Sequence, residues 1–231
     1  VGERVVEMKV LALVSSYRKR GNTDRMVGMI EDQMRAVAAR RGERLTFETL
    51  YLGHMDIGLC RGCRVCFDRG EARCPLQDDL AAVRAKMDAA DGIVIASPVY
   101  VNDVNGIAKN WMDRLAYVCH RPAFANKCVY LIATVADSPT RHALRTLDIG
   151  LRTWGMHIVG QAGFKMGALM DQDEMRRRYA GEAAQVAGAL YDAVAQARYR
   201  RPSFLSLMMF KIQQLSWQKT APDTVDYVYW Q

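Results

Sequence analysis

Four of the six cysteines crowd into one short stretch, Cys60-x2-Cys63-x2-Cys66-x7-Cys74, followed by Pro75. Three thiolates spaced three apart can wrap one side of an iron–sulfur cubane, and a fourth from beyond a short loop completes it. A structural zinc site more often brings two separated Cys pairs around a tetrahedron, so the spacing is a poorer zinc match. Arg61, Arg64, Arg69 and Arg73 interleave the thiols and would offset the negative charge of a cluster. A second group of residues is polar: Ser15, Ser16, Arg18, Gly21, Asn22 and Thr23. They offer hydroxyls, a guanidinium, an amide and a flexible glycine just ahead of a helical pattern. Free backbone N–H groups and the helix dipole favour a phosphate there. The alternative is that Asn22 or Thr23 simply caps the helix and the serines fill the loop, and for Thr23 alone that reading wins. Neither G-x-G-x-x-G nor the Walker P-loop is present. Cys128 opens an apolar run and reads as core. Cys119 beside His120 resembles a nucleophile pair only superficially.

The elements that must position these residues alternate along the chain. Apolar or alternating runs predict strands over 8–14, 45–52, 92–97 (closed by Pro98), 127–135 and 157–162. Helical periodicity predicts helices over 24–41, 77–90, 105–117, 138–154 and 173–198. Gly42 stands where the first helix should stop. Asp78 and Asp79 stand where acidic residues favour the start of the second. Alternation of this kind is the pattern of an α/β protein with a parallel sheet. In such a sheet, ligands bind beyond the carboxyl ends of the strands. Residues 199–202 break the pattern. Beyond them Phe204, Leu205, Leu207, Met208, Met209, Phe210, Ile212, Leu215 and Trp217 read as a C-terminal arm. The expected organisation is therefore a domain over 1–198 and an arm over 199–231.

The chain has 231 residues, half of them hydrophobic and 25% charged. That composition excludes a disordered chain, a collagen-like repeat and a coiled coil. No apolar run reaches the length of a membrane span, and residues 1–4 do not read as a signal peptide. A cytoplasmic protein is the expectation. The net charge of +7 suits a polyanionic partner or a phosphate-bearing cofactor. No nucleic-acid module accompanies the arginines. The runs Arg40-Arg41, Arg176-Arg177-Arg178 and Arg198 with Arg200-Arg201 read as solvated helix ends.

Two spaced motifs carry a resemblance. S-S-x-R-x-x-G-N-T follows the first strand at Ser15, and S-P-V-Y-x-x-x-x-x-G…K-x-W-x-D-R follows the third, from Ser97 to Arg114. Together they resemble the NAD(P)H-dependent FMN reductase family of flavodoxin-like proteins. Within it, the compact cysteine motif between the second strand and the next helix is similar to that of the iron–sulfur flavoproteins. The resemblance implies a flavodoxin-like three-layer sandwich, five parallel strands in the order 2-1-3-4-5 with helices on both faces. It assigns the FMN phosphate to Ser15, Ser16, Arg18, Gly21, Asn22 and Thr23. It lays Pro98, Val99, Tyr100, Val101 and Asn102 against the isoalloxazine, and places Thr134 and Ala136 in a third loop. Two readings of Cys60, Cys63, Cys66 and Cys74 stand: ligands of a [4Fe–4S] cluster, or a cluster-free loop near the flavin.

The implied activity takes electrons from NAD(P)H, or from a ferredoxin-like donor, through FMN to a small acceptor such as a quinone, an aromatic or oxygen. The flavin carries that chemistry, and no side chain need act as acid or base. The alternative is a non-catalytic electron carrier or redox sensor. The resemblance also implies a homodimer or homotetramer. The ending Asp226-Tyr227-Val228-Tyr229-Trp230 is similar to the aromatic tails of some relatives.

Overall fold

The computed structural model describes residues 7–196, 204–219 and 222–231. Residues 1–4, the break at 199–202 and Arg198 lie outside the described residues. So do the side chains of Leu205 and Met209 in the arm.

The chain runs β1 (Glu7–Val14), α1 (Asn22–Arg41), β2 (Arg44–Tyr51), α2 (Val65–Asp68), α3 (Leu80–Ala89), β3 (Gly92–Tyr100), β4 (Asp103–Val104) and α4 (Gly106–Arg114). It continues with β5 (Cys128–Val135), α5 (Arg141–Thr153), β6 (His157–Lys165), α6 (Gln172–Gln196), α7 (Phe204–Trp217) and α8 (Val225–Tyr229). β2-β1-β3-β5-β6 lie side by side and all pair in parallel, which keeps the expected order of five. The unexpected two-residue β4 pairs antiparallel with the end of β3 and makes the sheet six-stranded.

β1 and β3 are almost wholly buried because both faces of the sheet are covered. Leu11, Leu13, Ile93 and Ile95 point into a core with Val83 and Met87 of α3, Trp111 of α4 and Leu147 and Leu151 of α5. Val10, Ala12, Val14, Val94 and Ala96 point the other way, onto Met26, Ile30 and Met34 of α1 and Val186, Leu190 and Tyr191 of α6. Each such aliphatic side chain gains roughly 1.5–3 kcal/mol from full burial. Two cores on one sheet fix its register, since a one-residue slip would exchange the two faces.

Several boundaries depart from the expectation for local reasons. Gly42 does end α1, in the left-handed conformation at φ 66°. β3 does not stop at Pro98. Its ladder with β1 ends at Ala96 while its ladder with β5 runs on to Pro98, and proline is tolerated where one flank of a strand has lost its partner. α3 starts at Leu80, two residues after Asp78, whose carboxylate accepts from the Leu80 N–H at 3.1 Å while it pairs with Arg114. The helix expected over 105–117 ends at Arg114 and continues as a 3-10 turn over Ala116–Cys119. Arg176, Arg177 and Arg178 are exposed near the start of α6, where the dipole does not favour a cation. Arg40 and Arg41 do close α1. Among the described residues no helix is long and apolar enough to cross a membrane.

Candidate active site at the carboxyl end of the sheet

The chain leaves β1 through Ser15 and Ser16, both buried. The Ser15 N–H and hydroxyl both donate to the Ala96 carbonyl of β3, at 2.9 and 3.4 Å. Asn105 donates to the Ser15 carbonyl at 2.5 Å and accepts from the Ala108 N–H, so it caps α4 and holds the loop at once. The Ser16 hydroxyl accepts from the Arg18 N–H at 3.1 Å, while the Arg18 side chain is exposed. α1 begins after Gly21 with no side-chain cap. Its first-turn N–H groups are therefore left without a cap side chain.

Gly53 backs this loop from the turn after β2. A Cβ there would stand 3.0 Å from the Ser16 carbonyl oxygen and from the Tyr17 N, so only glycine allows the two backbones this approach. Tyr51, at the end of β2, donates to Asp24 at 2.6 Å. Burial, reinforced by that carboxylate, pushes its phenol up to about 12.

Three further loops meet the first. Thr23 and Thr134 share a hydrogen bond of 2.6 Å between buried hydroxyls, which ties the start of α1 to the end of β5. Asn22 donates to the carbonyls of Met166 and Gly167, at 3.2 and 3.1 Å, and accepts from the Met170 N–H at 2.9 Å. Its side chain thus staples the loop after β6 to the loop after β1. Met166 and Gly167 in turn donate to the carbonyls of Val135 and Ala136. β3 and β4 form a hairpin in which Tyr100 pairs with Asp103 across Val101 and Asn102. Both tip residues have positive φ, 50° and 64°. Two-residue hairpin turns require such angles, but a β-branched residue rarely adopts them. Val101 is 98% exposed and Tyr100 half exposed, so the tip is open to solvent.

The cysteine stretch lies beside these loops and has little regular structure of its own: the single-turn α2 and a 3-10 turn over Glu71–Arg73. Cys60, Cys63, Cys66 and Cys74 all line one cavity of about 750 Å³. Among the described residues, no three ligating side chains converge as a metal set. α4 holds both ends of the loop. Asn110 accepts from the Cys60 N–H at 3.1 Å and donates to the carbonyls of Ile57 and Gly58. One turn on, Arg114 donates to the Gly58 carbonyl at 2.8 Å, to Asp78 at 2.5 and 3.1 Å, and reaches the Cys74 sulfur at 3.9 Å.

The Arg114 and Asp78 side chains are almost fully buried. Burial alone would raise the Asp78 carboxyl. The bonds from Arg114, Leu80 N–H and Gly58 N–H outweigh it and hold the carboxyl below its ordinary range. Burial, with the other three cysteines around it, pushes the Cys66 thiol up. The interleaved Arg61, Arg64, Arg69 and Arg73 are exposed, so the guanidinium that reaches a thiol is that of Arg114.

The sheet end thus gathers Ser15, Ser16, Gly21, Asn22, Thr23, Pro98 and Thr134 around one opening. Tyr100, Val101, Asn102 and Ala136 stand at its exposed rim, and Val99 is turned into the core. Sequence reasoning did not single out Asn105, Asn110, Arg114 and Gly53 for these roles. A signal was available for two of them, because Asn110 and Arg114 stand at i, i+4 on one helix face.

A search for known likenesses gives a consistent result. The profile of the NADPH-dependent FMN reductase family matches residues 8–170. An iron–sulfur flavoprotein of Archaeoglobus fulgidus is 28% identical over 170 residues, 72% of this chain and 74% of that protein. One from Methanocaldococcus jannaschii is 36% identical over 107 residues, 46% of this chain and 51%, about half, of that protein. Among solved structures, RosB with a bound 8-demethyl-8-formylriboflavin 5′-phosphate intermediate aligns at a TM-score of 0.67 and 16% identity, covering 93% of this chain and 90% of that one. The NAD(P)H:quinone oxidoreductase of Methanothermobacter marburgensis aligns at 0.56 and 15% identity, covering 79% and 98%. Likenesses this distant speak for the fold, a flavodoxin-like one. The profile match covers more than half of the chain and ends within the loop that Asn22 staples, and on that ground the chain belongs to the NADPH-dependent FMN reductase family and is an NAD(P)H-dependent flavoprotein oxidoreductase.

Proposed function

We propose that the loops after β1, β3 and β5 hold FMN, and that the chain passes electrons from NAD(P)H, or from a ferredoxin-like donor, to a small acceptor such as a quinone, an aromatic or oxygen. The observation that carries this reading is the uncapped start of α1 beside the buried Ser15 and Ser16, with Thr23 locked to Thr134 beneath. A helix start with no side-chain cap and no competing carboxylate on its own N–H groups fits an anionic phosphate. Ser15, Ser16, Arg18, Gly21, Asn22 and Thr23 would bind that phosphate. Here the backbone N–H of Asn22 would serve, because its side chain is already engaged. Pro98, Tyr100, Val101 and Asn102 would form the wall against the ring, Val99 only through its backbone because its side chain is in the core, with Thr134 and Ala136 opposite. Bound FMN supplies hydride acceptance and one-electron release. The surrounding residues orient it, limit water and offer N–H donors to a developing charge.

The same reading gives Cys60, Cys63, Cys66 and Cys74 a [4Fe–4S] cluster. Four thiols on one cavity wall, with the buried Arg114 beside Cys74, are a fitting donor set. Because the four do not converge in their present positions, the exposed Cys60 and Cys63 would move to complete it. Residues 1–198 would form the FMN domain, and 199–231 an arm packing on the domain or on a neighbouring copy. The outward Phe204, Leu207, Met208, Ile212 and Leu215 of α7 support a homodimer or homotetramer that covers them.

The test is anaerobic. The purified chain is reconstituted with FMN, its iron and sulfide are assayed, and NADPH is added in a stopped-flow spectrometer. The flavin band should bleach within the turnover time. A chain that binds FMN but is not bleached by NADPH or NADH would refute the reductase, and flavin bands without iron would refute the cluster.

A further inference from the structure

α4 holds the two ends of the cysteine loop, but its middle turn, from Cys66 to Glu71, is held from elsewhere. Arg121, with its side chain almost fully buried, donates through Nη2 to the Cys66 carbonyl at 2.9 Å and to Glu71 at 3.0 Å. Its Nη1 donates to Asp226 on α8, more than a hundred residues further along the chain. Asp226 is 4% exposed, and its other oxygen pairs with His120 Nδ1 at 2.7 Å. The imidazole is flanked by Phe67 of the cysteine loop, with centroids 4.5 Å apart, and by Trp217 of α7 at 4.0 Å. The tail is fastened on the same spot. Trp230 Nε1 donates to the His120 carbonyl at 2.8 Å, and the Tyr229 hydroxyl to the Pro122 carbonyl at 2.7 Å. Val225 packs over Gly70, where a Cβ would stand 3.7 Å from its methyl.

We propose that the C-terminal tail is the clamp that orders the middle of the cysteine loop, with Asp226 and Arg121 as its positioning residues. A forked guanidinium holds two groups of the loop only while its own charge is matched in the buried pocket, and Asp226 supplies the match. The contact to the loop is made to a backbone carbonyl, so the clamp acts on the loop's shape and not on the sulfur. Linkage makes the coupling reciprocal: what orders the loop also favours the docked tail, and what frees the tail loosens the loop. The inference goes beyond the FMN reading and is independent of whether the cysteines carry a cluster.

Backbone hydrogen exchange on the full chain as purified tests it. Asp226→Asn should speed exchange across 60–74 at least tenfold and leave β3 and β5 protected. Arg121→Lys keeps a charge opposite Asp226 but cannot fork to the Cys66 carbonyl and Glu71. It should loosen 64–71 by more than 225–230, which keeps its own bonds to His120 and Pro122. A residue with only a general structural role would raise exchange throughout, or in both segments equally. Unchanged exchange over 64–71 in Arg121→Lys overturns the proposal. That variant decides alone if Asp226→Asn fails to fold. Glu71→Ala removes the loop's own carboxylate from Arg121 and should speed exchange at 225–230, and no change there would refute the coupling.

Discussion

Two loops flank the candidate site, and they are held by opposite means. The loop after β1 is a product of the sheet. Its position follows from the β1–β3 ladder, from backbone N–H and carbonyl groups, and from short side chains such as Thr23, Thr134 and Asn22. The cysteine loop has no ladder. Single long side chains hold it, Asn110 and Arg114 from α4 and Arg121 from the far side, with buried carboxylates behind two of them. A loop made by the fold shares its load over many contacts, so most single substitutions leave it in place. A loop made by a few charged side chains is exposed to one substitution at a time. The first arrangement suits a cofactor cradle that must be preorganised. The second suits a segment that must change shape to take up its occupant.

The sharpest break in that contrast is Arg114→Met. It leaves Asp78 buried without its partner, a change that costs about 3–5 kcal/mol. The melting temperature should fall by several degrees, and hydrogen exchange should rise across 57–78 and not at 15–23. Asn22→Leu is its counterpart on the other side. It deletes three hydrogen bonds, each worth about 0.5–1.5 kcal/mol, and frees the loop after β6 from the start of α1. FMN affinity should fall about 100-fold, read by fluorescence quenching, with the cysteine loop unaffected. Gly53→Ala forces a methyl group against the Ser16–Tyr17 backbone, an overpacking worth about 1–3 kcal/mol. It should weaken FMN about tenfold.

Acid supplies a smaller, reversible test. The Asp78 carboxyl is depressed in the folded chain, so its contribution is complete above the ordinary value of about 3.9 and is lost as pH falls through the lower folded value. Exchange in the cysteine loop should rise in that acid window before exchange at the loop after β1. The smallest effect is at Lys86, whose pair with Glu48 is exposed. Lys86→Ala should cost about 0–1 kcal/mol and move neither loop.

How far the residues announced this arrangement differs between the two loops. The alternation of apolar runs revealed the sheet because burial on both faces leaves a periodicity in the chain itself, and its strand order came from the family resemblance. Ser15, Ser16 and Thr23 were legible for the same reason, since they follow directly from where β1 ends. The hairpin at Val101 and Asn102 was not, because neither residue is the glycine that such angles usually select, and Pro98 reads as a stop until the pairing on its two sides is known. Asn22 was legible as part of the loop after β1, but its bonds to a loop more than a hundred residues away were not. The cysteine spacing was plain. The Arg114 guanidinium beside Cys74 was not, because a partner brought in by tertiary packing leaves no local pattern.

The account's central claim is that the sheet end alone makes the flavin site. FMN titration followed by fluorescence, on the unaltered chain, Asn22→Leu and Arg121→Lys side by side, tests it most directly. The unaltered chain and Arg121→Lys should bind FMN with the same affinity, and Asn22→Leu about 100-fold more weakly. Equal affinity in Asn22→Leu, or a comparable loss in Arg121→Lys, would contradict it.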